Sequence, residues 1–271
     1  MADTMRNKVA IVTGGTQGLG ETTARLFAER GAAGIVICGR KADQGEAVAR
    51  DLNEAGTRAI YVRADLAEAE AARRVVAEAD EAFGRVDALV NVAAITDRGT
   101  ILDTSVDLFD RMFAVNVRAP FFLMQDVARI MRREGIEGTM VNVLSMSSHG
   151  GQPFICAYSG SKAALAGLTK NVAYSLLRDR IRVNGLNIGW MNTPAEHVIQ
   201  KAEHGAADDW LEKAAAAQPF GRILETSEVA RTIAFLSCAE SGMMTGALLD
   251  LDQSVAGCYD QPPHPPSPLP Y

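Results

Sequence analysis

Short apolar runs alternate with amphipathic stretches along most of the chain. Strand-like runs occur at 8–14, 34–39, 58–65, 86–93, 139–145, 181–188 and 247–252, and helix-like stretches occur at 21–30, 42–55, 68–83, 106–133, 157–178 and 226–238. Nearly continuous apolar strands separated by helices are typical of a parallel sheet covered on both faces. The pattern therefore predicts an α/β fold: a single doubly wound, Rossmann-type domain with a mainly parallel seven-stranded sheet.

Three features interrupt this pattern. The segment 189–218 is long and alanine-rich and is flanked by Pro194 and Pro219. Residues 258–271 are rich in proline, which is incompatible with a helix or a central strand, so we expect an extended or disordered tail after a domain spanning 1–257. Pro120 falls inside the long helical stretch at 106–133, where we expect a kink or bend.

Composition is that of an ordinary globular protein. The 271 residues are 48% hydrophobic and 22% charged, with a net charge of -6, which disfavours nucleic acid and anionic membranes as partners. No apolar stretch approaches the roughly 20 residues of a membrane span, and the start does not resemble a secretory signal. The four cysteines form no CxxC pair and have no zinc-ligand spacing. We therefore expect free thiols, no metal and a cytoplasmic location.

A glycine-rich turn follows the first predicted strand. The sequence TGGTQGLG (13–20) places Gly14, Gly18 and Gly20 between a strand and a helix start. There the backbone turns sharply, and a helix N-terminus offers unpaired N–H groups and a positive dipole end to a pyrophosphate. The spacing differs from the G-x-G-x-x-G fingerprint, and such a turn alone is also compatible with a plain tight loop. Its position in an alternating α/β chain favours a dinucleotide site.

The end of the second strand bears on which dinucleotide binds. Arg40, followed by Lys41, stands where an acidic residue would hold a ribose hydroxyl. A guanidinium can pair with a 2′-phosphate through two hydrogen bonds, which favours NADP(H). The alternative is that Arg40 stacks on adenine or is solvated and that NAD(H) is accepted.

Four further residues suggest oxidoreductase chemistry. Tyr158 and Lys162 are one turn apart on a predicted helix, Ser145 ends the preceding strand, and Asn116 lies within the long helix. A Tyr-x-x-x-Lys spacing alone carries little weight. Together with TGGTQGLG, however, these residues resemble the Asn-Ser-Tyr-Lys tetrad and glycine motif of the classical short-chain dehydrogenase/reductase family. The resemblance covers roughly residues 6–255.

The resemblance implies a set of cofactor-binding residues. Asp65 corresponds to an adenine-contacting aspartate, although it could also be a helix N-cap. Thr193 is expected to reach the nicotinamide carboxamide. Val92, Ala94 and Ile188 depart from the family pattern. The implied set is Gly14, Thr16, Gln17, Gly18, Leu19, Gly20, Arg40, Asp65, Leu66, Asn91, Ala93, Tyr158, Lys162, Gly189 and Thr193.

The resemblance also implies a mechanism. Tyr158 would transfer the proton of an alcohol/carbonyl pair, Ser145 would orient the substrate oxygen, and Asn116 would help hold a water near Lys162. Lowering the pKa of a tyrosine from about 10 to 7 requires about 4 kcal/mol of stabilisation of the phenolate. A cation about 5 Å away at an effective dielectric of about 20 supplies about 3 kcal/mol. We therefore expect Lys162, with an oxidised nicotinamide, to lower the pKa of Tyr158. Ser147 and Ser148 compete with Ser145 by proximity.

In the family, residues 189–218 form a substrate lid; the alternative is a plain pair of surface helices. The expected pocket residues are Ser145, Ser147, His149, Gln152, Tyr158 and Trp190, with Met191. Hydrogen-bonding groups beside an aromatic face suit a polyol or sugar better than a lipid. His149 could instead be an ordinary loop histidine.

Family members are commonly tetramers built on the helices at about 106–133 and 157–178, so we expect a homotetramer. Two other functions remain open: a 3-oxoacyl thioester reductase and a non-catalytic dinucleotide-binding protein. The first would need a basic surface near the lid for an acyl carrier. There, Lys201 and Lys213 are outnumbered by acidic residues, namely Glu196, Glu203, Asp208, Asp209 and Glu212.

Overall fold

The computed structural model describes residues 4–258. Its strands are β1 (Val9–Thr13), β2 (Gly34–Gly39), β3 (Arg58–Arg63), β4 (Ala88–Asn91), β5 (Thr139–Val143), β6 (Arg182–Ile188), β7 (Met191–Asn192), β8 (Leu224–Glu225) and β9 (Leu248–Leu251). Seven of them form one sheet in the order β3-β2-β1-β4-β5-β6-β9, and every pairing in it is parallel. The predicted doubly wound α/β fold is confirmed.

The helices cover both faces of this sheet. They are α1 (Gly18–Glu29), α2 (Ala42–Glu54), α3 (Ala69–Phe83), α4 (Val106–Phe113), α5 (Ala119–Glu134), α6 (Cys156–Ser175), α7 (Pro194–Ala202), α8 (Trp210–Ala216) and α9 (Thr226–Leu236). One core cluster contains Val75 of α3 and Leu165 of α6, and the other contains Phe27 of α1 and Ile233 of α9. Because both faces are covered, β1 is buried along its whole length.

The strand order reverses at β1. The chain proceeds outward from β1 to β2 and β3, then returns to place β4 on the other side of β1. In such sheets the two loops that leave β1 and β4 diverge and open a crevice at the carboxyl ends of the strands. This crevice receives the glycine-rich turn on one side and the loop after β4 on the other.

The long helix predicted at 106–133 consists of three pieces. α4 and α5 are joined by a π-helical turn at Ala114–Arg118, and Pro120 lies in the first turn of α5. Proline has no N–H to give to the Asn116 carbonyl, so the regular α-helical ladder cannot continue through this point. The expected irregularity therefore takes the form of a π-turn just before the proline, and it contains Asn116.

The segment after β6 forms a separate layer beside the carboxyl ends of the strands. It contains α7 and α8, and its two ends are joined by the parallel pairing of β7 with β8. The segment thus extends to Glu225, further than the 218 predicted from sequence. Buried Trp210 packs with Ala214 and Ile223 in its own small apolar cluster.

No helix within residues 4–258 is long and apolar enough to cross a membrane. Of the predicted tail at 258–271, only Cys258 belongs to the described part of the chain, and the remainder lies outside it.

Candidate active site

A cleft of about 1700 Å³ opens at the carboxyl ends of the strands. It brings together residues from the glycine turn, the loops after β2, β3, β4 and β5, the start of α6, and the segment after β6. Asn91 and Asn116 do not line it. All the other predicted site residues do: Gly14, Thr16, Gln17, Gly18, Leu19, Gly20, Arg40, Asp65, Leu66, Ala93, Ser145, Ser147, His149, Gln152, Tyr158, Lys162, Gly189, Trp190 and Thr193.

The glycine turn packs tightly against the start of α1. Gly14 has a φ of +66°, and a Cβ on Gly20 would lie 2.2 Å from the Gly14 carbonyl oxygen. Gln17, which precedes α1, makes no side-chain cap, so no side chain of that residue covers the first amides of the helix. This open N-terminus in a glycine cradle fits the phosphates of a dinucleotide.

Thr13 fixes the geometry between the turn and the next loop, a role that sequence reasoning missed. Its hydroxyl oxygen accepts hydrogen bonds from the backbone N–H groups of Val92 and Ala93, at 3.0 and 3.1 Å. The loop after β4 is thereby held against the turn after β1. The signal was available, since Thr13 is the first residue of the TGGTQGLG motif.

Arg40 and Asp65 lie at one end of the cleft. Arg40 is exposed. Asp65 accepts a hydrogen bond from the Ala67 N–H and forms an ion pair with Arg111 at 3.0 Å. Burial of the Asp65 carboxyl acts to raise its pKa, but the Ala67 N–H and the Arg111 charge outweigh burial and leave the pKa lowered. The suggestion that Asp65 is a helix N-cap is wrong, because α3 begins later, after Glu68.

Asn91 lies beneath the cleft. Its amide nitrogen donates to Asn142 Oδ1 at 2.8 Å, and the amide of Asn142 donates to Thr169 of α6. Asn91 therefore connects β4, β5 and α6 and does not face the cleft. Asn91 is thus placed to support the strand ends beneath the cleft and not to line it.

Tyr158 and Lys162 lie on one face of α6, as their spacing predicts. The Lys162 ammonium is 5.8 Å from the centre of the Tyr158 ring and donates to the Val143 carbonyl at 2.8 Å. That carbonyl belongs to the last residue of β5, two positions before Ser145. The end of β5 therefore anchors Lys162 and also delivers Ser145 to the same wall of the cleft.

The surroundings of Tyr158 raise its pKa, which is opposite to the expected direction. Burial raises the pKa of Tyr158, while a hydrogen bond with Ser145 and the charge of Arg98 act to lower it. Burial also lowers the pKa of Lys162 from 10.5 to about 8. Lys162 is not among the groups that act on the pKa of Tyr158, and burial is the largest influence on both groups; the expected lowering by Lys162 with an oxidised nicotinamide stays a prediction.

The three serines after β5 have different surroundings. Ser145 is 8% exposed, its Oγ accepts the backbone N–H of Ser147 at 3.1 Å, and its hydroxyl is hydrogen-bonded to Tyr158 in the cleft wall. Ser148 donates to Asn187 at 2.9 Å and does not line the cleft. The geometry therefore favours Ser145 over Ser148, and Ser147 lies at the rim.

Asn116 is fully buried, and its side chain positions the loop after β4. It accepts the Ile95 N–H at 2.9 Å and donates to the Ile95 carbonyl at 3.0 Å. It also donates to Ser161 Oγ, which in turn donates to the Tyr158 carbonyl at 2.7 Å. The Asn116 amide is thus directed at backbone and Ser161 rather than at Lys162, and Ser161 is a supporting residue that sequence reasoning missed.

His149 lies in a polar network at the rim of the cleft. Its Nε2 is 3.1 Å from Asp250 Oδ1 and 3.3 Å from the amide nitrogen of Asn187, which itself donates to Asp250 at 2.7 Å. The loop after β5 is thereby tied to β6 and β9. His149 both lines the cleft and has a structural role, so the two interpretations of this histidine are compatible.

The start of α7 is organised by Thr193 and Trp190. Thr193 Oγ1 accepts the Glu196 N–H at 3.1 Å and so caps α7. Trp190 donates its indole N–H to the Glu196 carboxylate at 2.8 Å. Thr193 is therefore already engaged as a cap, while its side chain still borders the cleft.

Several lining residues were not singled out from sequence, because they belong to no motif. They include Gln44, Thr96, Arg98, Arg111, Phe154, Ile199, Gln200, His204 and Gln218. Cys156, the first residue of α6, is exposed and does not line the cleft. No group of three potential metal ligands occurs among residues 4–258.

Comparison with known proteins supplies independent evidence. Residues 14–254 match the family model described as enoyl-(acyl carrier protein) reductase. The cis-4-hydroxycyclohexanecarboxylate dehydrogenase of Sinomonas cyclohexanicum is 34% identical, over 93% of this chain and 98% of that protein. The NADP-dependent (R)-specific alcohol dehydrogenase of Lentilactobacillus kefiri is 32% identical, over 93% and 98%.

A solved structure agrees with these relatives. The short-chain dehydrogenase/reductase from Serratia marcescens superimposes with a TM-score of 0.83 at 32% sequence identity, covering 92% of this chain and 98% of that one. The match extends over the sheet, the cleft and the segment beside it. The chain belongs to the short-chain dehydrogenase/reductase family and is an NAD(P)-dependent oxidoreductase that acts on alcohol groups.

Proposed function

We propose that this enzyme interconverts a secondary alcohol and a carbonyl on a polyol or sugar, with Tyr158 as the general acid and base. The observation that carries the proposal is the convergence of Tyr158, Lys162 and Ser145 on one wall of the cleft. When bound, the dinucleotide supplies or accepts the hydride and, in its oxidised form, adds a positive charge.

The proton chemistry follows from the side chains themselves. Because burial raises the pKa of Tyr158, its hydroxyl is protonated at neutral pH and ready to donate to a carbonyl oxygen. In the reverse direction it accepts the proton of the alcohol. Ser145 donates a hydrogen bond to the same oxygen and stabilises the charge that develops on it. Lys162, held by Val143, places a cation next to Tyr158.

NADP(H) is the proposed cofactor, with NAD(H) as the alternative. Arg40 is exposed at the end of β2, where a 2′-phosphate of a bound dinucleotide would lie, and Lys41 follows it. Two adjacent cations favour a phosphate over a bare hydroxyl. The relative from Lentilactobacillus kefiri is named as NADP-dependent, in agreement with this preference.

The polar lining of the cleft supports a hydroxylated substrate. Thr96, Gln152, Gln200, Gln218 and Gln253 border it together with the predicted pocket residues. Gln200 and Gln253 already bind Glu196 and the Arg222 carbonyl, while Thr96, Gln152 and Gln218 can exchange hydrogen bonds with substrate hydroxyl groups. We therefore favour a polyol or sugar over a hydrophobic ketone.

A 3-oxoacyl thioester reductase is a weaker candidate. An acyl carrier would need free cations near the lid, but Lys201 pairs with Asp208 at 2.6 Å and Lys213 pairs with Asp209 at 2.9 Å. Neither lysine is available as an isolated positive charge. A non-catalytic dinucleotide-binding role is disfavoured because Tyr158, Lys162 and Ser145 are all present in the cleft wall.

We also propose a homotetramer in a reducing, cytoplasmic compartment. Apolar side chains are exposed on α4, at Val106 and Phe109, and near the end of α6, at Tyr174 and Leu177. These are the helices expected to pack between subunits. Cys38, Cys156, Cys238 and Cys258 are free thiols, which supports a reducing location.

The test is an assay of C4–C6 polyols, aldoses and ketoses against hydrophobic ketones, run with NADP and with NAD and followed by nicotinamide absorbance. We expect Tyr158→Phe to lower kcat by about 10²- to 10⁴-fold, because it removes the transferable proton while leaving the ring in place. Cofactor binding, measured by fluorescence titration, should be unchanged. Retained turnover in this variant would overturn the mechanism, and reaction of hydrophobic ketones alone would overturn the substrate class.

A further inference from the structure

Arg98 occupies a fixed position in the cleft, although it lies in a loop. The next residue, Gly99, donates its N–H to the Phe154 carbonyl at 2.8 Å and accepts the Cys156 N–H at 3.2 Å. α6 begins at Cys156 and carries Tyr158 half a turn further on. The backbone at Arg98 is therefore bound directly to the start of the helix that presents the reacting hydroxyl.

The guanidinium of Arg98 is held by neutral groups. Its Nε donates to His204 Nε2 at 3.2 Å, its Nη1 donates to the Thr96 carbonyl at 3.1 Å, and its Cζ lies 5.4 Å from the centre of the Phe154 ring. Phe154 and His204 also pack edge to face. Within residues 4–258, Nη2 has no hydrogen-bond partner and the side chain forms no ion pair.

A half-buried cation without a counter-charge is costly in a folded protein. The other cations lining the cleft are accounted for: Arg111 pairs with Asp65, Lys162 binds the Val143 carbonyl, and Arg40 and Lys41 lie at the far end. Arg98 thus provides, on the Tyr158 side of the cleft, a cation that has no ion-pair partner within residues 4–258. A guanidinium fork with free N–H groups is suited to a carboxylate.

We propose that Arg98 binds a carboxylate of the substrate, so that the preferred substrates are hydroxy acids and the corresponding oxo acids. The inference rests on the proposed alcohol/carbonyl function and narrows its substrate class. It adds a specificity-determining residue to Tyr158, Lys162 and Ser145.

Glu196 indicates that the anion carries a single charge. Its Oε1 accepts the Trp190 indole N–H at 2.8 Å and the Gln200 amide at 2.7 Å, which holds this carboxylate in the cleft wall near Tyr158. The cleft wall near Tyr158 therefore presents one cation, Arg98, and one carboxylate, which favours a substrate anion of low charge. A phosphate dianion would be repelled by Glu196 and would require more cations.

The first experiment compares acids with their uncharged amides in kcat/KM: gluconate with gluconamide, 3-hydroxybutyrate with 3-hydroxybutyramide, and 4-hydroxycyclohexanecarboxylate with its carboxamide. We expect the acid to be preferred in at least one pair. Arg98→Gln should lower the value for that acid by about 10- to 100-fold and leave the amide nearly unchanged, while Arg98→Lys should restore part of the loss. Equal values for acid and amide in the unaltered enzyme would overturn the proposal.

A purely structural role for Arg98 predicts a different result. If the side chain only props His204 and the loop, Arg98→Gln would reduce acid and amide turnover equally, and this outcome also overturns the proposal. Arg178→Gln is the matched control, because it makes the same substitution at an exposed arginine that does not line the cleft.

The second experiment does not depend on turnover. Binding of the same three acids, and of glucose 6-phosphate, is measured by calorimetry in Tyr158→Phe with NADP bound, with and without Arg98→Gln. We expect an acid to bind at least about tenfold more weakly without the arginine. No acid binding, binding that ignores Arg98, or tighter binding of glucose 6-phosphate contradicts the proposal. If an acid binds in an Arg98-dependent way but the unaltered enzyme turns over no alcohol, the proposed alcohol/carbonyl function is refuted and the carboxylate-binding role of Arg98 stands.

Discussion

Lys162 illustrates how a single side chain combines burial with a functional charge. It is only 2% exposed, and its ammonium donates to the Val143 carbonyl. Removal from water lowers its pKa to about 8. The folded protein therefore keeps an ammonium next to Tyr158 in surroundings that disfavour its charge. Favourable interactions elsewhere in the fold offset this desolvation cost.

This cost should appear as a pH-dependent stability. Because the folded pKa of about 8 lies below 10.5, the unfolded chain binds more protons between these values, and the free energy of unfolding rises with pH across that window. From pH 7 to pH 10 we expect the unaltered protein to gain about 2–3 kcal/mol relative to Lys162→Met, which has no titrating group there. Urea unfolding of both proteins at both pH values measures the difference.

Equal pH dependence in the two proteins would show that Lys162 keeps an ordinary pKa and would remove this part of the electrostatic argument. Lys170→Met, an exposed position on the same helix, is the control and should behave like the unaltered protein.

At the scale of elements, the junction between β1 and α1 depends on backbone proximity. A Cβ on Gly20 would approach the Gly14 carbonyl, a backbone atom that cannot move aside. α1 can approach the turn closely only without that atom, and this proximity brings the amides at the helix start to the cleft. The motif is therefore a packing requirement as well as a binding one.

Gly20→Ala should accordingly lower the free energy of unfolding by about 3 kcal/mol and weaken dinucleotide binding, because the helix start must shift. Gly167→Ala is the matched control: Gly167 is exposed within α6 and a Cβ there would meet nothing within 4 Å. This control should gain about 0.5–1 kcal/mol. Chemical denaturation and cofactor titration measure both effects, and a Gly20→Ala protein as stable as the control would contradict the packing argument.

The π-turn before α5 was only partly anticipated at this scale. Pro120 predicted an irregularity, but its type and its position at Asn116 depend on packing. The turn directs the Asn116 amide towards Ile95, which lies 21 positions earlier in the loop that leaves β4. Local preferences cannot specify that contact, because the position of the partner is set by the sheet order.

For the molecule as a whole, the reversal of strand order at β1 determines where chemistry can occur. The glycine turn is more than 120 positions from the Ser145 strand end and the α6 tyrosine, yet all three reach the same edge of the sheet.

A tetramer would bury the apolar side chains exposed on α4 and near the end of α6. We expect light scattering to give four times the 28.9 kDa of one chain. Phe109→Glu, which places a charge in that surface, should yield smaller species, whereas Arg50→Glu on α2 should not. A monomeric unaltered protein would refute the tetramer. A Phe109→Glu protein that is still a tetramer would show that the interface does not include Phe109.

The sequence by itself determined the alternation of strands and helices, the parallel sheet, the glycine turn and the Tyr158–Lys162 pair. These features are encoded locally, by apolar periodicity and by spacings within one turn or one helix. The tertiary structure alone decided that Asn91 and Asn116 lie beneath the cleft, that Asp65 pairs with Arg111, and that Arg98 joins the site. Those outcomes depend on contacts between loops distant in sequence, whose meeting is fixed by strand order and by burial rather than by the residues beside them.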